Sequence, residues 1–146
     1  MNSNNYKIWT LTDGSQGMIS QVIGLAQEFG NEIVQIKTAL RFPWSFLQPD
    51  ILPTFKYIFK NEIPRLDKQN IVISCGRKSV YLSTYLKKKY SNIINIHIQN
   101  PKTSFHKFNF IVAPNHDNIQ GKNVIHSAGA LHKFSPEIIS RIKNTY

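Results

Sequence analysis

The sequence predicts an α/β fold, a three-layer sandwich with a mostly parallel sheet of about six strands. Three observations carry this. Short apolar bursts rich in β-branched residues recur along the chain, amphipathic stretches lie between several of them, and glycine, proline or polar clusters mark the joins. The first burst is YKIWTL (6–11), and the turn LTDGSQGMISQ (11–21) leads out of it. Met18, Val22, Ala26 and Phe29, with Ile19 and Ile23 beside them, then recur at helical spacing, and Gly30 is placed to end that helix. EIVQIK (32–37) and NIVISC (70–75) are the next two strands. A helix over 79–90 follows, presenting Leu82, Tyr85 and Leu86 on one side. IINIHIQ (93–99), NFIVAP (109–114) and NVIHS (123–127) complete the set of strands. Ser135-Pro136-Glu137 opens a last helix in the order cap, proline, first-turn acid. Alternation of strand and helix implies parallel strands covered on both faces, a Rossmann-like arrangement. At 146 residues and 41% hydrophobic, the chain can bury one sizeable core and is short for two, so one domain over 1–146 is expected.

One stretch departs from the pattern. LRFPWSFLQPDILPTFKYIF (40–59) holds prolines at 43, 49 and 53, which forbid an uninterrupted helix until after Pro53. It is either a long connection whose aromatics cover the sheet, or a basic, aromatic surface loop that sits on membrane headgroups with Lys37, Arg41, Lys56 and Lys60 nearby. Exposure of Trp44 and Phe46 separates the two.

Charge narrows the partners. Lys and Arg number 18 against 8 Asp and Glu, and the formal +10 is uneven: residues 1–36 carry −2, residues 37–107 carry +10 and residues 108–146 carry +2. Such a field attracts phosphates, nucleic acid or an anionic membrane surface, although abundant Lys, Asn and Ile also fit an A+T-rich coding bias. The lone Cys75 allows no internal disulfide and fits a reducing compartment. The N-terminus MNSNNYK lacks the pattern of a secretory signal. The longest uncharged run, 14–27, is shorter than the roughly 18–20 apolar residues a bilayer requires. A cytoplasmic protein, soluble or peripheral at the inner face of a membrane, is expected.

Ligands of parallel sheets bind beyond the carboxyl ends of the strands, so the polar loops there are the candidate sites. Asp13-Gly14-Ser15-Gln16-Gly17 follows the first strand, and its glycines permit positive φ beside a helix N-terminus able to hold an anion. The spacing is G-x-x-G and not G-x-G-x-x-G, which disfavours dinucleotide binding, and the Asp13 carboxylate would repel a neighbouring phosphate. A plain strand-to-helix turn explains the loop equally well. Cys75-Gly76-Arg77-Lys78-Ser79 resembles the tail of a P-loop without its first half. Two cations at a helix start are unfavourable unless an anion or carboxylate compensates, whereas Lys87, Lys88 and Lys89 in the last turn suit the helix dipole as a solvated face. Gln99-Asn100-Pro101 ends the fourth strand. Pro114-Asn115-His116-Asp117 ends the fifth, where His116 and Asp117 offer acid–base chemistry, hydrogen bonds to a sugar, or an ordinary turn. Cys75 reads as a buried strand-end thiol. Histidine spacing matches no metal motif, so neither a metal nor a cofactor is expected.

Five ordered blocks, WTLTDGSQGMISQVIGLAQEFG, LRFPWSFLQP, ISCGRKSVYLSTYL, IHIQNPKTSFHKFNFIVAPNHD and NVIHSAGALHKFSP, together resemble the mitochondrial fission Elm-type family over nearly the whole chain. That family resembles B-type glycosyltransferases, in which two Rossmann-like domains face each other across a cleft. The resemblance implies family positions at Thr12, Asp13, Gly14, Gly17 and Gln21, at Gly76, Arg77, Lys78 and Ser79, and at Gln99 and Pro101. It implies others at Pro114, His116 and Asp117, and at Gly129, Ala130, Leu131 and His132. Family members run to about twice this length, so the chain is expected to supply the acceptor-side half of a cleft and to be inactive alone. Asp13, His116 and Asp117 would then be its catalytic groups. Thr12, Gly14, Gly17, Gln21, Gly76, Arg77, Lys78, Ser79, Gln99, Gly129 and His132 would bind a nucleotide sugar or a phosphorylated lipid or small molecule, with a separately encoded C-terminal half as partner. Nucleic acid is disfavoured. The competing expectations are a non-enzymatic peripheral module on a membrane or protein, as the plant relatives' implied role at an organelle surface would have it, and a truncated gene remnant.

Overall fold

A computed structural model of the chain describes residues 6–66, 70–114, 119–127 and 136–145. Six strands run parallel in one sheet: β1 (Lys7–Thr12), β2 (Glu32–Lys37), β3 (Asn70–Cys75), β4 (Ile94–Ile98), β5 (Phe110–Pro114) and β6 (Val124–Ser127), in the order β2-β1-β3-β4-β5-β6. β3 is buried along its whole length, as a central parallel strand must be, while the edge strand β2 keeps Glu32, Gln35 and Lys37 exposed. Helices α1 (Gln16–Ala26), α2 (Arg77–Lys89) and α3 (Pro136–Thr145) supply the other layers.

The pleat sorts the core into two faces. Ile8, Ile71, Ile73, Ile96, Ile98 and Val112 point toward Val22 and Leu25 of α1 and Ile139 and Ile142 of α3. On the opposite face Leu11 and Val72 meet Tyr81, Leu82 and Leu86 of α2, together with Leu40, Ile58 and Phe59. A smaller cluster of Val80, Phe108, Ile111 and Val124 extends that face toward β6.

Two helix ends depart from the sequence reading. Helix α1 is regular only to Ala26, four residues before Gly30, and turn bonds from Glu28 to Leu25 and from Phe29 and Gly30 to Ala26 carry the chain onward with Phe29 still in the core. Helix α2 begins at Arg77 and not at Ser79, because its cap comes from another strand. As the prolines require, residues 40–59 form only two short 3₁₀ turns, Trp44–Phe46 and Lys56–Ile58, and the connection from β4 to β5 forms one, Phe105–Lys107. Among the described residues no helix is long and apolar enough to cross a membrane.

Candidate functional site

The chain leaves β1 toward one edge and returns to place β3 on the other side of β1, so the sheet order reverses between these two strands. Their carboxyl ends therefore flank the crevice where open α/β sheets bind ligands. Asp13, just past β1, crosses it. Its Oδ2 accepts a hydrogen bond from the Lys78 N–H at 3.0 Å, and its Oδ1 accepts from the Ser79 N–H and hydroxyl, both at 3.0 Å. This carboxylate caps α2 in place of a local side chain and compensates Arg77 and Lys78 at the positive end of the helix dipole. The buried Ser79 hydroxyl also meets Thr38 Oγ1 at 3.0 Å, tying the crossing to the end of β2. Gly76 is at φ 107°, and a Cβ there would stand 2.6 Å from the Asp13 carboxyl carbon, so glycine is required twice over. Gly14 is at φ 105°, its N–H bonded to Thr12 Oγ1 at 3.2 Å, and the Lys37 side chain lies against it. Gly17 uses no such freedom: it sits exposed in α1 with open space around it.

Beside this crossing lies a cavity of about 240 Å³ lined by Met18, Gln48, Arg77, His97, Gln99 and Lys102 among others. Gln21 Oε1 bridges the ends of β3 and β4, accepting from the Cys75 thiol at 3.3 Å and from Gln99 Nε2 at 3.4 Å. Burial, with the Asp13 charge adding to it, pushes the Cys75 thiol up to about 12, so it stays protonated. Gln99 and Lys102 hold left-handed backbone, φ 79° and 57°, on either side of Asn100-Pro101. His97 is buried and its Nδ1 lies 2.7 Å from the Ser74 hydroxyl on β3; burial pushes its pKa down to about 3, so the ring is neutral. Thr12, Asp13, Gly14, Gln21, Gly76, Arg77, Lys78, Ser79 and Gln99 thus gather at the β1–β3–β4 rim. His116, Asp117, Gly129 and His132 lie outside the described residues. Among the described residues no group of three His, Cys, Asp or Glu could hold a metal ion.

The Arg77 guanidinium is engaged by the 40–59 loop. It donates to the carbonyls of Ser45 at 2.5 Å, Leu47 at 2.7 Å and Trp44 at 3.4 Å, and the Tyr81 hydroxyl donates to those of Gln48 at 2.8 Å and Leu47 at 3.0 Å. Two side chains of α2 thereby fix the 40–59 loop, whose base is closed by an antiparallel bridge between Leu40 and Phe59. Inside the loop the half-buried Trp44 donates its indole N–H to Pro53 O at 3.0 Å and meets Phe55 edge-on. The outer side is apolar and exposed: Phe46 is 77% accessible, Phe42 75%, Tyr57 65%, Ile51 59% and Phe55 44%. Arg41 lies over the Tyr57 ring, and Lys56 and Lys60 are exposed at the loop base. Exposure divides the aromatics of this stretch: Trp44 and Phe59 pack over the sheet, as a connection covering it would, while Phe42 and Phe46 face outward.

A family model described as Mitochondrial fission ELM1 matches residues 16–146. The chain belongs to this family. The chain is also similar to "Uncharacterized protein RP120" of Rickettsia prowazekii (strain Madrid E), 30% identical over 114 residues that cover 75% of this chain. The matched segment is 32% of that relative's length, so the chain spans about a third of it. No solved structure matches the chain.

In this ELM1-family chain two features escaped motif reasoning. Ser74 and His97 are register partners on adjacent strands, and Asn95, two residues before His97 on the same face, donates to Ser83 Oγ at 3.2 Å and Lys107 O at 3.1 Å. Polar residues at alternate positions of INIHI were the available signal. The anchoring of the 40–59 loop by Arg77 and Tyr81 had no local signal.

Proposed function

We propose that the chain is a non-enzymatic peripheral module that docks on an anionic membrane surface through the 40–59 loop. The observation that carries this reading is the exposed apolar face of Phe42, Phe46, Ile51, Phe55 and Tyr57 on a loop held rigid from behind. Phe42 meets Phe46 and Phe55 stacks on Tyr57 at the loop surface, and exposed aromatic side chains flanked by Lys and Arg suit the headgroup region. The basic middle of the chain supplies attraction of about 1 kcal/mol per cation near such a surface. The strand-end carboxylate and guanidinium meanwhile serve the fold: Asp13 caps α2 and Arg77 holds the loop.

Vesicle flotation tests it. The protein floats with vesicles of phosphatidylcholine and phosphatidylglycerol, not with phosphatidylcholine alone, and binding falls as salt rises. A fully buried Phe contributes about 1.5–3 kcal/mol, so Phe42→Ser with Phe46→Ser lowers affinity at least about tenfold. Absence of salt-sensitive binding, or self-association that buries the same aromatics, overturns the reading.

The cavity beside Gln99, with Lys102 and Gln48 in its lining, favours a second reading, the acceptor-side half of a glycosyltransferase-like cleft that binds a nucleotide sugar or a phosphorylated ligand. Thr12, Gly14, Gly17, Gln21, Gly76, Lys78, Ser79, Gln99, Gly129 and His132 would then bind ligand and His116, Asp117 and Asp13 would act on it. Uridine diphosphate sugars that bind equally well to the wild type and to Gln99→Ala and His116→Ala variants exclude this reading.

A further inference from the structure

A second cavity, about 710 Å³, opens on the outer side of α2, between segment 50–54 and the turn at Phe105–Lys107. Lys87 and Lys88 line it from the helix and His106 and Lys107 from the turn. Asp50 is the single carboxylate among its lining residues, and both oxygens are engaged: Oδ1 accepts from Lys107 Nζ at 2.7 Å and Oδ2 from the Thr103 hydroxyl. The backbone at Asp50 is held at φ 77°, so this double anchor fixes an unfavourable turn at the cavity mouth. Lys87 Nζ reaches the carbonyls of Ser91 at 3.0 Å and Ile93 at 2.6 Å, leaving one of its three N–H donors, and Lys88 is exposed with no ion pair among the described residues. Burial lowers the Lys87 pKa, as expected of a half-buried ammonium without a counter-ion. Thr84 and Thr103 add hydroxyls, and Ile51, Leu52 and Pro53 form an apolar side.

We infer that this cavity binds a phosphomonoester carried on glycerol or a similar short polyol, with Lys87 and Lys88 holding the phosphate and the threonines facing the polyol. Several cations with one already satisfied carboxylate suit a dianion, and the volume exceeds what phosphate alone would fill. Ile51 lines the cavity and is also exposed on the same 40–59 loop as the aromatics, so a phosphatidate headgroup could enter while the loop lies on a bilayer. This lipid form rests on the membrane-docking reading, whereas a soluble phosphomonoester does not.

The probe is sn-glycerol 3-phosphate, titrated into the ¹⁵N-labelled full chain with glycerol as control. Saturable amide shifts are expected at residues 84–88 and 103–107 with the phosphate and not with glycerol. Lys88→Gln and Lys87→Gln should each weaken binding about tenfold, while Lys89→Gln, whose side chain lies over the Tyr90 ring outside the cavity, changes it less than about twofold. No localised shift, or an equal loss in Lys89→Gln, overturns the inference. Vesicles of phosphatidylcholine and phosphatidic acid separate the two ideas. Shifts with glycerol 3-phosphate and no flotation keep the cavity and end membrane docking. Flotation lost only in Phe42→Ser with Phe46→Ser, without shifts from the soluble probe, keeps docking and ends the cavity.

Discussion

Asp13 decides how the two halves of the sheet meet, because one carboxylate accepts three hydrogen bonds from the first turn of α2. Asp13→Ala leaves two backbone donors and the Ser79 hydroxyl without that acceptor, and should cost about 1–3 kcal/mol in urea unfolding. The requirement for a compensating carboxylate at Arg77-Lys78 was legible from the helix dipole. Its identity was not, since Asp13 and Ser79 are far apart in sequence and only the pairing of β1 with β3 brings them together. His97 makes a second residue-scale prediction. Its folded-state pKa is about 3 against about 6.5 in the unfolded chain, so below pH ~6.5 the unfolded state binds the extra proton. The stability tied to the neutral ring is complete above that pH and is lost by about 1.4 kcal/mol per pH unit as pH falls toward 3. Urea midpoints of the wild type should fall between pH 7 and 5, and those of His97→Gln should fall less steeply; parallel curves would refute the assignment.

At the level of elements, the 40–59 loop and α2 act as a pair. Arg77 and Tyr81 supply five hydrogen bonds to loop carbonyls, so the loop is rigid without regular structure of its own. Arg77→Ala with Tyr81→Phe should speed amide exchange across residues 44–48 severalfold while the exchange of β1 and β3 stays unchanged. Uniform acceleration would instead mean that these contacts support the whole fold. Prolines 43, 49 and 53 announced an irregular segment, but which aromatics face outward depends on where α2 places its guanidinium and phenol. The strands were easier to read. Ile-Val-Ile and Ile-x-Ile-x-Ile bursts suit a sheet buried on both faces, and each predicted strand lies within about a residue or two of the observed one.

Across the whole molecule, the segment with the strongest positive charge, residues 37–107, contains both the aromatic loop and the lysines of α2. Its placement follows from the order of the strands, since the crossover from β2 to β3 must pass over the α2 face of the sheet. That order also has a kinetic meaning. β1 is the inner strand of the left half, yet its second neighbour begins at residue 70, paired with residue 7. During synthesis a lone β1–β2 ribbon emerges first, with the Ile8 edge still lacking its partner and the proline-rich loop still lacking its anchors. Non-local parallel pairing of this kind is slow, and a bare strand flank is a template for another chain. The nascent polypeptide is therefore most vulnerable to association between copies just before β3 and α2 leave the ribosome.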